Sequence, residues 1–148
     1  MRVAIGSDHA GFELKETIKA LLDEWAVPYH DLGPASAASV DYPDFAERVA
    51  RAVVAGEADR GILVCGTGIG MSIAANKVAG VRAAVAWDEE SARLSRRHND
   101  ANVMTLGGRT TPRDRVRAMV AAFLETPFDG GRHVMRLDKI ARLERKDS

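Results

Sequence analysis

Cysteine is nearly absent from this 148-residue sequence, and aromatic residues are few. The sequence also has no net charge and no long apolar run. The single cysteine, Cys65, excludes an intramolecular disulfide and any zinc site built on several thiolates. No stretch approaches the roughly 18 uncharged apolar residues of a membrane span, and the apolar run at the N-terminus is too short for a signal peptide. We therefore expect a cytoplasmic protein without a membrane partner.

Charge has no net excess, but it is unevenly distributed. Residues 1–59 carry 5 basic and 11 acidic side chains, whereas residues 109–148 carry 10 basic and 6 acidic ones. Most of the basic residues in the second range are arginines. The planar guanidinium suits phosphate and carboxylate groups. Arg132 and Arg136, four apart, share a face if the last helix begins that early. No basic run with interleaved aromatic residues predicts a nucleic-acid partner. A small anionic ligand is favoured, with a solvated arginine surface as the alternative.

What the sequence does have is a regular alternation of short apolar runs and helical patterns, in a length typical of one domain. We assign residues 1–148 to a single α/β domain, three-layered and Rossmann-like, with a five-stranded parallel sheet. The predicted strands cover residues 2–6, 27–32, 60–65, 81–87 and 103–107. The predicted helices cover about 10–26, 43–55, 71–77, 89–98, 112–124 and 133–145. Ligands on such sheets bind beyond the carboxyl ends of the strands.

The strongest local signal is the glycine-rich loop after the third predicted strand. Gly66, Gly68 and Gly70 let the backbone approach a ligand, and the following helix directs N–H groups towards it. A P-loop is excluded because no lysine follows Gly70, and a dinucleotide fingerprint is weakened because its third glycine comes one position early. Asp88, about 20 residues further on, keeps the dinucleotide hypothesis open. A tight turn without a ligand is the other alternative.

Cys65 lies at the end of that strand, immediately before the loop. A helix N-terminus favours the thiolate, which acts as a nucleophile or a base, although a lone cysteine is more often a small core residue. A cysteine nucleophile elbow is absent, since Leu63 and Thr67 occupy the positions that need glycine. A phosphatase-type Cys-x5-Arg is absent too, because Met71 stands where arginine is required. The Thr67 hydroxyl either joins the same site or caps the loop.

Two of the four histidines occupy positions suited to ligand binding. His9 follows Asp8 at the tip of the first strand, where Asp8 either caps the first helix or binds a ligand. His98 and Asn99 close the fourth helix, where a histidine also interacts favourably with the helix dipole. The two histidines without an assigned role are His30 and His133.

Five motifs occur in order along the chain. They are Gly6-Ser7-Asp8-His9-Ala10-Gly11, Asp41-Tyr42-Pro43, Cys65-Gly66-Thr67-Gly68-Ile69-Gly70 with Asn76-Lys77, His98-Asn99-Asp100-Ala101-Asn102, and Leu106-Gly107-Gly108-Arg109. Together they make the sequence resemble ribose-5-phosphate isomerase type B, in the family that includes galactose-6-phosphate isomerase subunits. The agreement covers essentially the whole chain, and ordered motifs are more specific than a single glycine loop.

The resemblance implies an aldose–ketose isomerase that interconverts ribose 5-phosphate and ribulose 5-phosphate through an enediolate, without a metal or another cofactor. By that resemblance Cys65 is the base that moves the proton between C1 and C2, Thr67 assists proton transfer, and His98 opens the sugar ring. The remaining substrate contacts that it implies are the backbone of Gly66, Gly68 and Gly70 for the enediolate, Asp8 and Asn99 for hydroxyls, Tyr42 as a wall, and His9, Arg109, Arg132 and Arg136 for the phosphate.

The resemblance also implies an assembly: a homodimer or tetramer with active sites shared between subunits, in which the helix at about 133–145 contacts the partner. Some relatives use a carboxylate of the helix after the glycine loop as the base. No Asp or Glu occurs between Gly66 and Trp87, so Cys65 has no rival in its own segment.

Other functions remain open at this point. An isomerase of the same mechanism acting on allose 6-phosphate, galactose 6-phosphate or a tetrose phosphate shares the motifs, because these contact the phosphate and the reacting carbons. A sugar-phosphate-binding module without turnover uses the same anion loop and tolerates the loss of Cys65. A thiol hydrolase requires a covalent adduct at Cys65, for which the sequence supplies no elbow.

Overall fold

The structure is a computed structural model that describes residues 1–145 as parallel strands alternating with helices. The strands are β1 (Val3–Ser7), β2 (Tyr29–Asp31), β3 (Arg60–Cys65), β4 (Ala83–Val85) and β5 (Val103–Gly107). The helices are α1 (Phe12–Glu24), α2 (Tyr42–Val54), α3 (Ile69–Ala75), α4 (Glu89–Asn99), α5 (Arg113–Glu125) and α6 (Arg132–Leu143).

The five strands form one parallel sheet in the order β2-β1-β3-β5-β4. After β1 the chain adds β2 on one side, and β3 then pairs on the other side of β1. Such a switch point opens a crevice beyond the carboxyl ends of the two strands that flank it. The predicted fold class, a three-layer Rossmann-like α/β arrangement with a five-stranded parallel sheet, is confirmed.

Helices cover both faces of the sheet, and each face buries its own apolar cluster. One cluster joins α1, α4 and α5 to the sheet, with Leu14, Ile62, Met104, Met119 and Phe123 among its buried members. The other joins α2 and α3 to the sheet, with Phe45, Val49, Leu63, Cys65 and Met71 among its members. Because side chains alternate along a strand, Val64 faces the first cluster and Cys65 the second.

Several element bounds differ from the predicted ones. β2 and β4 have three residues each, whereas the sequence predicts 27–32 and 81–87. Side chains replace strand pairing at the start of β4: Asn102 Oδ1 accepts the Arg82 N–H at 2.7 Å, and Asn76 Oδ1 accepts the Ala83 N–H at 2.8 Å. α3 begins at Ile69, two residues before the predicted start, so the helix begins within the glycine motif.

The last helix spans Arg132–Leu143, one residue earlier at its start and two at its end than the predicted range of about 133–145. The turn at Gly130 and Gly131 ends one residue earlier than expected, which places Arg132 in the first turn. α6 packs against α4 and keeps several apolar side chains exposed, namely Val134, Met135, Ile140 and Leu143. Within residues 1–145, no helix combines the length and apolar character needed to cross a membrane.

Candidate active site

The loops that follow β1, β3 and β5 meet at the carboxyl edge of the sheet. Backbone hydrogen bonds join them: Gly108 N–H donates to Cys65 O at 2.7 Å, Arg109 N–H to Gly66 O at 3.0 Å, and Asp8 N–H to Val64 O at 3.1 Å. These bonds continue the parallel register in which Cys65 lies opposite Gly107. The three loops therefore form one rigid floor at the switch point.

The thiol of Cys65 is buried beside this floor. The side chain is 5% exposed, and its sulfur accepts the backbone N–H of Gly68 at 3.2 Å. The sequence left open whether Cys65 is a core residue or a reactive thiol. The structure has features of both, because the side chain packs in the apolar cluster of α2 and α3 while its sulfur has a polar partner.

Glycine is required in the loop after Cys65 by close contacts. Gly68 has φ +84°, and a Cβ there would lie 2.9 Å from the carbonyl carbon of Leu106. A Cβ on Gly70 would lie 2.7 Å from the ring of Tyr42, so the partly exposed Tyr42 covers this turn. Thr67 Oγ1 accepts the Ile69 N–H at 3.2 Å, which is the loop-capping role expected as the alternative for Thr67.

Asp8 and His9 lie in the turn between β1 and α1. Asp8 is nearly buried, and its Oδ1 accepts the Gly11 N–H at 2.9 Å, so it caps this turn while Oδ2 remains available. His9 Nδ1 accepts the Val40 N–H at 3.3 Å. In the neutral imidazole the proton is therefore on Nε2, which can donate to an anion.

Arg109 provides a cation at the same edge. Its Nη1 lies 3.6 Å from the position that a Cβ on Gly66 would occupy, so the guanidinium lies over the first glycine of the loop. Arg113 supports this segment, because its Nη2 donates to Gly108 O at 3.0 Å and its Nη1 to Thr111 O at 3.2 Å. Arg109 thus supplies a positive charge, and His9 and the loop N–H groups supply hydrogen-bond donors, of the kind that an anionic ligand needs.

Nine of the thirteen predicted site residues belong to this edge or cover it: Asp8, His9, Tyr42, Cys65, Gly66, Thr67, Gly68, Gly70 and Arg109. The other four lie elsewhere. His98 and Asn99 end α4 just before β5 begins, so they lie at the amino edge of the sheet. The four steps of β5 from Val103 to Gly107 separate the two edges by about 13 Å. Arg132 and Arg136 lie on α6, which packs against α4.

Sequence reasoning missed His133, for which only a place at the start of the last helix was expected. The His133 ring stacks on the His98 ring, with centroids 4.5 Å apart and an angle of 17° between the planes. Burial, then the nearby charges of His98, Arg132 and Arg136, hold the pKa of His133 below its usual value, while Asp129 opposes the shift. The signal available in the sequence was its place between two arginines assigned to phosphate.

A metal ion fits the His98, His133 and Asp129 group poorly. Each residue offers one ligand atom, and these atoms lie within 4.8 Å of one another. However, Asp129 Oδ2 already accepts from Arg97 Nε at 3.1 Å, and Arg132 and Arg136 add positive charge. Nearly parallel stacked rings also direct their nitrogen lone pairs side by side rather than towards a common point. The group is better described as a charged, aromatic contact between α4 and α6.

This geometry defines a class of protein: a parallel α/β fold with a thiol and a glycine-rich loop at the switch point of its sheet. The chain belongs to the Ribose/Galactose Isomerase family, whose model matches residues 3–140. The predicted family resemblance is therefore confirmed, and the chain is an enzyme of the sugar isomerase class.

Three relatives illustrate the similarity. The sequence is 47% identical to ribose-5-phosphate isomerase B of Escherichia coli over 145 residues, covering 98% of this chain and 97% of that protein. The structure of ribose-5-phosphate isomerase B of Clostridium thermocellum matches with a TM-score of 0.97 at 49% identity, covering 100% of both chains. That of Mycoplasma genitalium, solved with bound ribulose-5-phosphate, matches with a TM-score of 0.92 at 44% identity, covering 98% of this chain and 97% of the other.

Proposed function

We propose that the chain interconverts ribose 5-phosphate and ribulose 5-phosphate, and that residues 1–148 act as one catalytic domain. The observation that carries the proposal is the thiol of Cys65, with the Gly68 N–H 3.2 Å from its sulfur and the glycine loop beside it. A base next to preorganised N–H donors is what proton abstraction beside a carbonyl requires. The ribulose-5-phosphate in the Mycoplasma genitalium relative supports the five-carbon substrate.

In the proposed reaction, the Cys65 thiolate removes the proton from C2 of the open-chain aldose. The electron pair of the broken C–H bond forms the C1–C2 double bond, and the carbonyl oxygen on C1 becomes an oxyanion. Backbone N–H groups of the glycine loop stabilise this enediolate. Thr67 assists proton transfer from O2 to O1, and the Cys65 thiol returns its proton to C1, which gives the ketose. Every proton and electron pair stays within the substrate and these groups, so the steps use no cofactor.

The substrate contacts follow the positions of the polar groups. In this proposal the Nε2 atom of His9 and the guanidinium of Arg109 bind the phosphate; the support is that both are donors at the carboxyl edge. Asp8 Oδ2, which is left after Oδ1 accepts from Gly11, accepts from a sugar hydroxyl. Tyr42, in contact with the glycine turn, forms a wall of the site.

We further propose that the protein is a homodimer or tetramer with shared active sites. His98 and Asn99 lie at the amino edge, so within one chain they do not approach Cys65 at the opposite edge. A second copy can bring its His98, Asn99, Arg132 and Arg136 to this site. Apolar side chains near both groups support a contact between copies: Ile73 of α3 is 60% exposed and Met135 of α6 is 64% exposed. The last helix would then contact the partner subunit.

The test is isomerisation of ribose 5-phosphate by the purified protein, with a metal chelator present. We expect turnover that resists the chelator and falls by at least about 100-fold in Cys65→Ala, because a positioned base contributes about that much or more. Cys65→Ser is the matched control for volume: it keeps an acceptor for the Gly68 N–H but supplies a much weaker base, so it should be as inactive as the alanine variant.

The other functions left open by the sequence predict different outcomes. If the protein turns over allose 6-phosphate, galactose 6-phosphate or a tetrose phosphate but not ribose 5-phosphate, the proposed mechanism stands and the proposed substrate is wrong. Tight binding of sugar phosphates without turnover of any, unaffected in Cys65→Ala, would leave a binding module. Unfolding curves of the variants establish that the loss of turnover is not a loss of fold.

A further inference from the structure

His98 and His133 form a stacked pair that joins α4 to α6, called here the histidine stack. His98 lies in the last turn of α4 and His133 in the first turn of α6. Their ring centroids are 4.5 Å apart with an angle of 17° between the planes, and His133 is only 9% exposed. A ring buried against one face of His98 removes much of the rotational freedom of that side chain.

The segment that carries His133 is fastened to α4 by several hydrogen bonds. The Asp129 N–H donates to Arg97 O at 3.0 Å, and Arg97 Nε donates to Asp129 Oδ2 at 3.1 Å. Arg96 Nε donates to Thr126 O at 3.1 Å. Phe128 also lies against the His133 ring, with centroids 6.4 Å apart. The segment before α6 is therefore bound to the last turn of α4, which holds the histidine stack in place, so the stack is not a chance contact between two surface rings.

The groups around His133 favour its uncharged form. It faces His98 of α4, Arg132 and Arg136 of α6, and Asp129 of the preceding segment. Burial, then the interactions with His98, Arg132 and Arg136, lower the pKa of His133, while Asp129 opposes the shift. Two stacked imidazoles do not readily carry two positive charges. At neutral pH His133 thus presents a flat, neutral ring to His98.

We propose that His133 is a positioning residue, which holds the His98 ring in the orientation needed for opening the sugar ring. This inference rests on the proposed isomerase function and assigns to His133 a role different from that of its neighbours Arg132 and Arg136. The arginines act on phosphate affinity, whereas His133 acts through His98 on the rate of the step that His98 performs.

The two directions of the reaction separate these roles. Ribose 5-phosphate is largely a closed ring that must be opened, whereas ribulose 5-phosphate has its C5 oxygen esterified and cannot close a five-membered ring on C2. We expect His133→Ala to lower kcat for ribose 5-phosphate by about three- to tenfold, the worth of a ring stack, with KM nearly unchanged. In the reverse direction the open-chain aldose can leave the enzyme and close its ring in solution, so the rate from ribulose 5-phosphate should change much less. His133→Phe, which restores a stacking ring without a polar atom, should recover most of the lost kcat.

Controls separate this inference from the proposed function and from assembly. Wild-type turnover of ribose 5-phosphate tests the proposed function by itself, and its absence would overturn both. Lys139→Ala, an exposed change further along α6, and size-exclusion chromatography control for effects on the helix and on the oligomer. The shift of the His98 ring protons in NMR spectra, assigned with His98→Asn, reports the stack whatever the activity. The inference is wrong if the Phe and Ala variants lose kcat equally, if both mainly raise KM, or if the Ala variant is unchanged.

Discussion

The polar environment of the Cys65 sulfur is set by backbone rather than by a basic side chain. Its N–H partner belongs to Gly68, whose φ of +84° is in the left-handed region. Thr105 Oγ1 donates to Gly68 O at 2.8 Å, which ties the same peptide to β5. The ring of Tyr42 supports the turn at Gly70 from the other side. The conformation of the backbone at Gly68 therefore determines whether the Cys65 sulfur accepts a hydrogen bond.

Gly68→Ala tests this dependence, and Gly56→Ala is a matched control. Gly56 also has a positive φ, +78°, but a Cβ there meets nothing within 4 Å. We expect the control to lose about 1 kcal/mol of unfolding free energy from backbone strain alone. Gly68→Ala adds a clash 2.9 Å from Leu106 and should lose about 3 kcal/mol and most isomerase activity. Urea unfolding and kcat measure both, and equal losses in the two variants would contradict the argument.

At the scale of elements, α1, β2 and the loop after β2 are joined by one buried lysine. Lys15 Nζ donates to Asp31 Oδ1 at 2.8 Å, to Asp31 Oδ2 at 2.9 Å and to Pro34 O at 2.7 Å, and the lysine is 0% exposed. The same loop later supplies the Val40 N–H that binds His9 Nδ1. These contacts of Lys15, called here the lysine clamp, thus fix the start of the loop. The end of the same loop orients His9, a candidate for binding the phosphate.

Periodicity predicted the elements but not these contacts. The apolar runs at β1, β3 and β5 and the stripe of α1 are local patterns, so the sheet and the loops at its carboxyl edge follow from them. The burial of Lys15 depends on Asp31, 16 residues away, and the length of β4 depends on side chains of Asn76 and Asn102. The stack on His98 depends on α6. Such pairings between distant residues leave no periodic trace.

Asp31→Asn tests the lysine clamp through its pH dependence. Burial opposes ionisation, but hydrogen bonds from Lys15, Lys19 and the Gly33 N–H hold the pKa of Asp31 below its usual value. Its contribution is therefore complete above the unfolded pKa, near 4, and is lost as the pH falls through the lower folded value. We expect a loss of about 3 kcal/mol at pH 7, since the buried Lys15 loses the carboxylate that it contacts at 2.8 Å.

The difference between wild type and Asp31→Asn should begin to narrow below about pH 4, where the Asp31 carboxylate of the unfolded chain becomes protonated, and should keep narrowing until the pH passes the lower folded pKa. Glu47→Gln provides a matched control, because it breaks the exposed ion pair with Arg51 and should cost less than about 1 kcal/mol. Denaturant unfolding between pH 3 and pH 7 gives both values. A constant difference across this range would contradict the assignment to the charged form.

At the scale of the whole molecule, the topology separates residues that the proposed chemistry needs together. Each helix after a parallel strand returns the chain to the amino edge, so the end of α4 cannot reach the end of β3 in the same chain. Of the eight arginines in residues 109–148, Arg132, Arg136 and Arg142 lie on α6, the helix that packs against α4. In the proposed symmetric pair, α6 and the end of α4 of one chain would complete the site of the other.

Subunit complementation tests the shared site directly. Cys65→Ala and His98→Asn each remove one proposed catalytic residue, so each homo-oligomer should be nearly inactive on ribose 5-phosphate. In a mixed dimer, one site combines both changes, and the other combines the intact Cys65 of one chain with the intact His98 of its partner. Random assembly at equal amounts makes half of the dimers mixed, each with one working site, so activity should recover to about a quarter of wild type. Co-expression with two affinity tags isolates the mixed species, which should reach about half. If each site used residues of one chain only, each copy in the mixed dimer would still carry one defect and no activity would return.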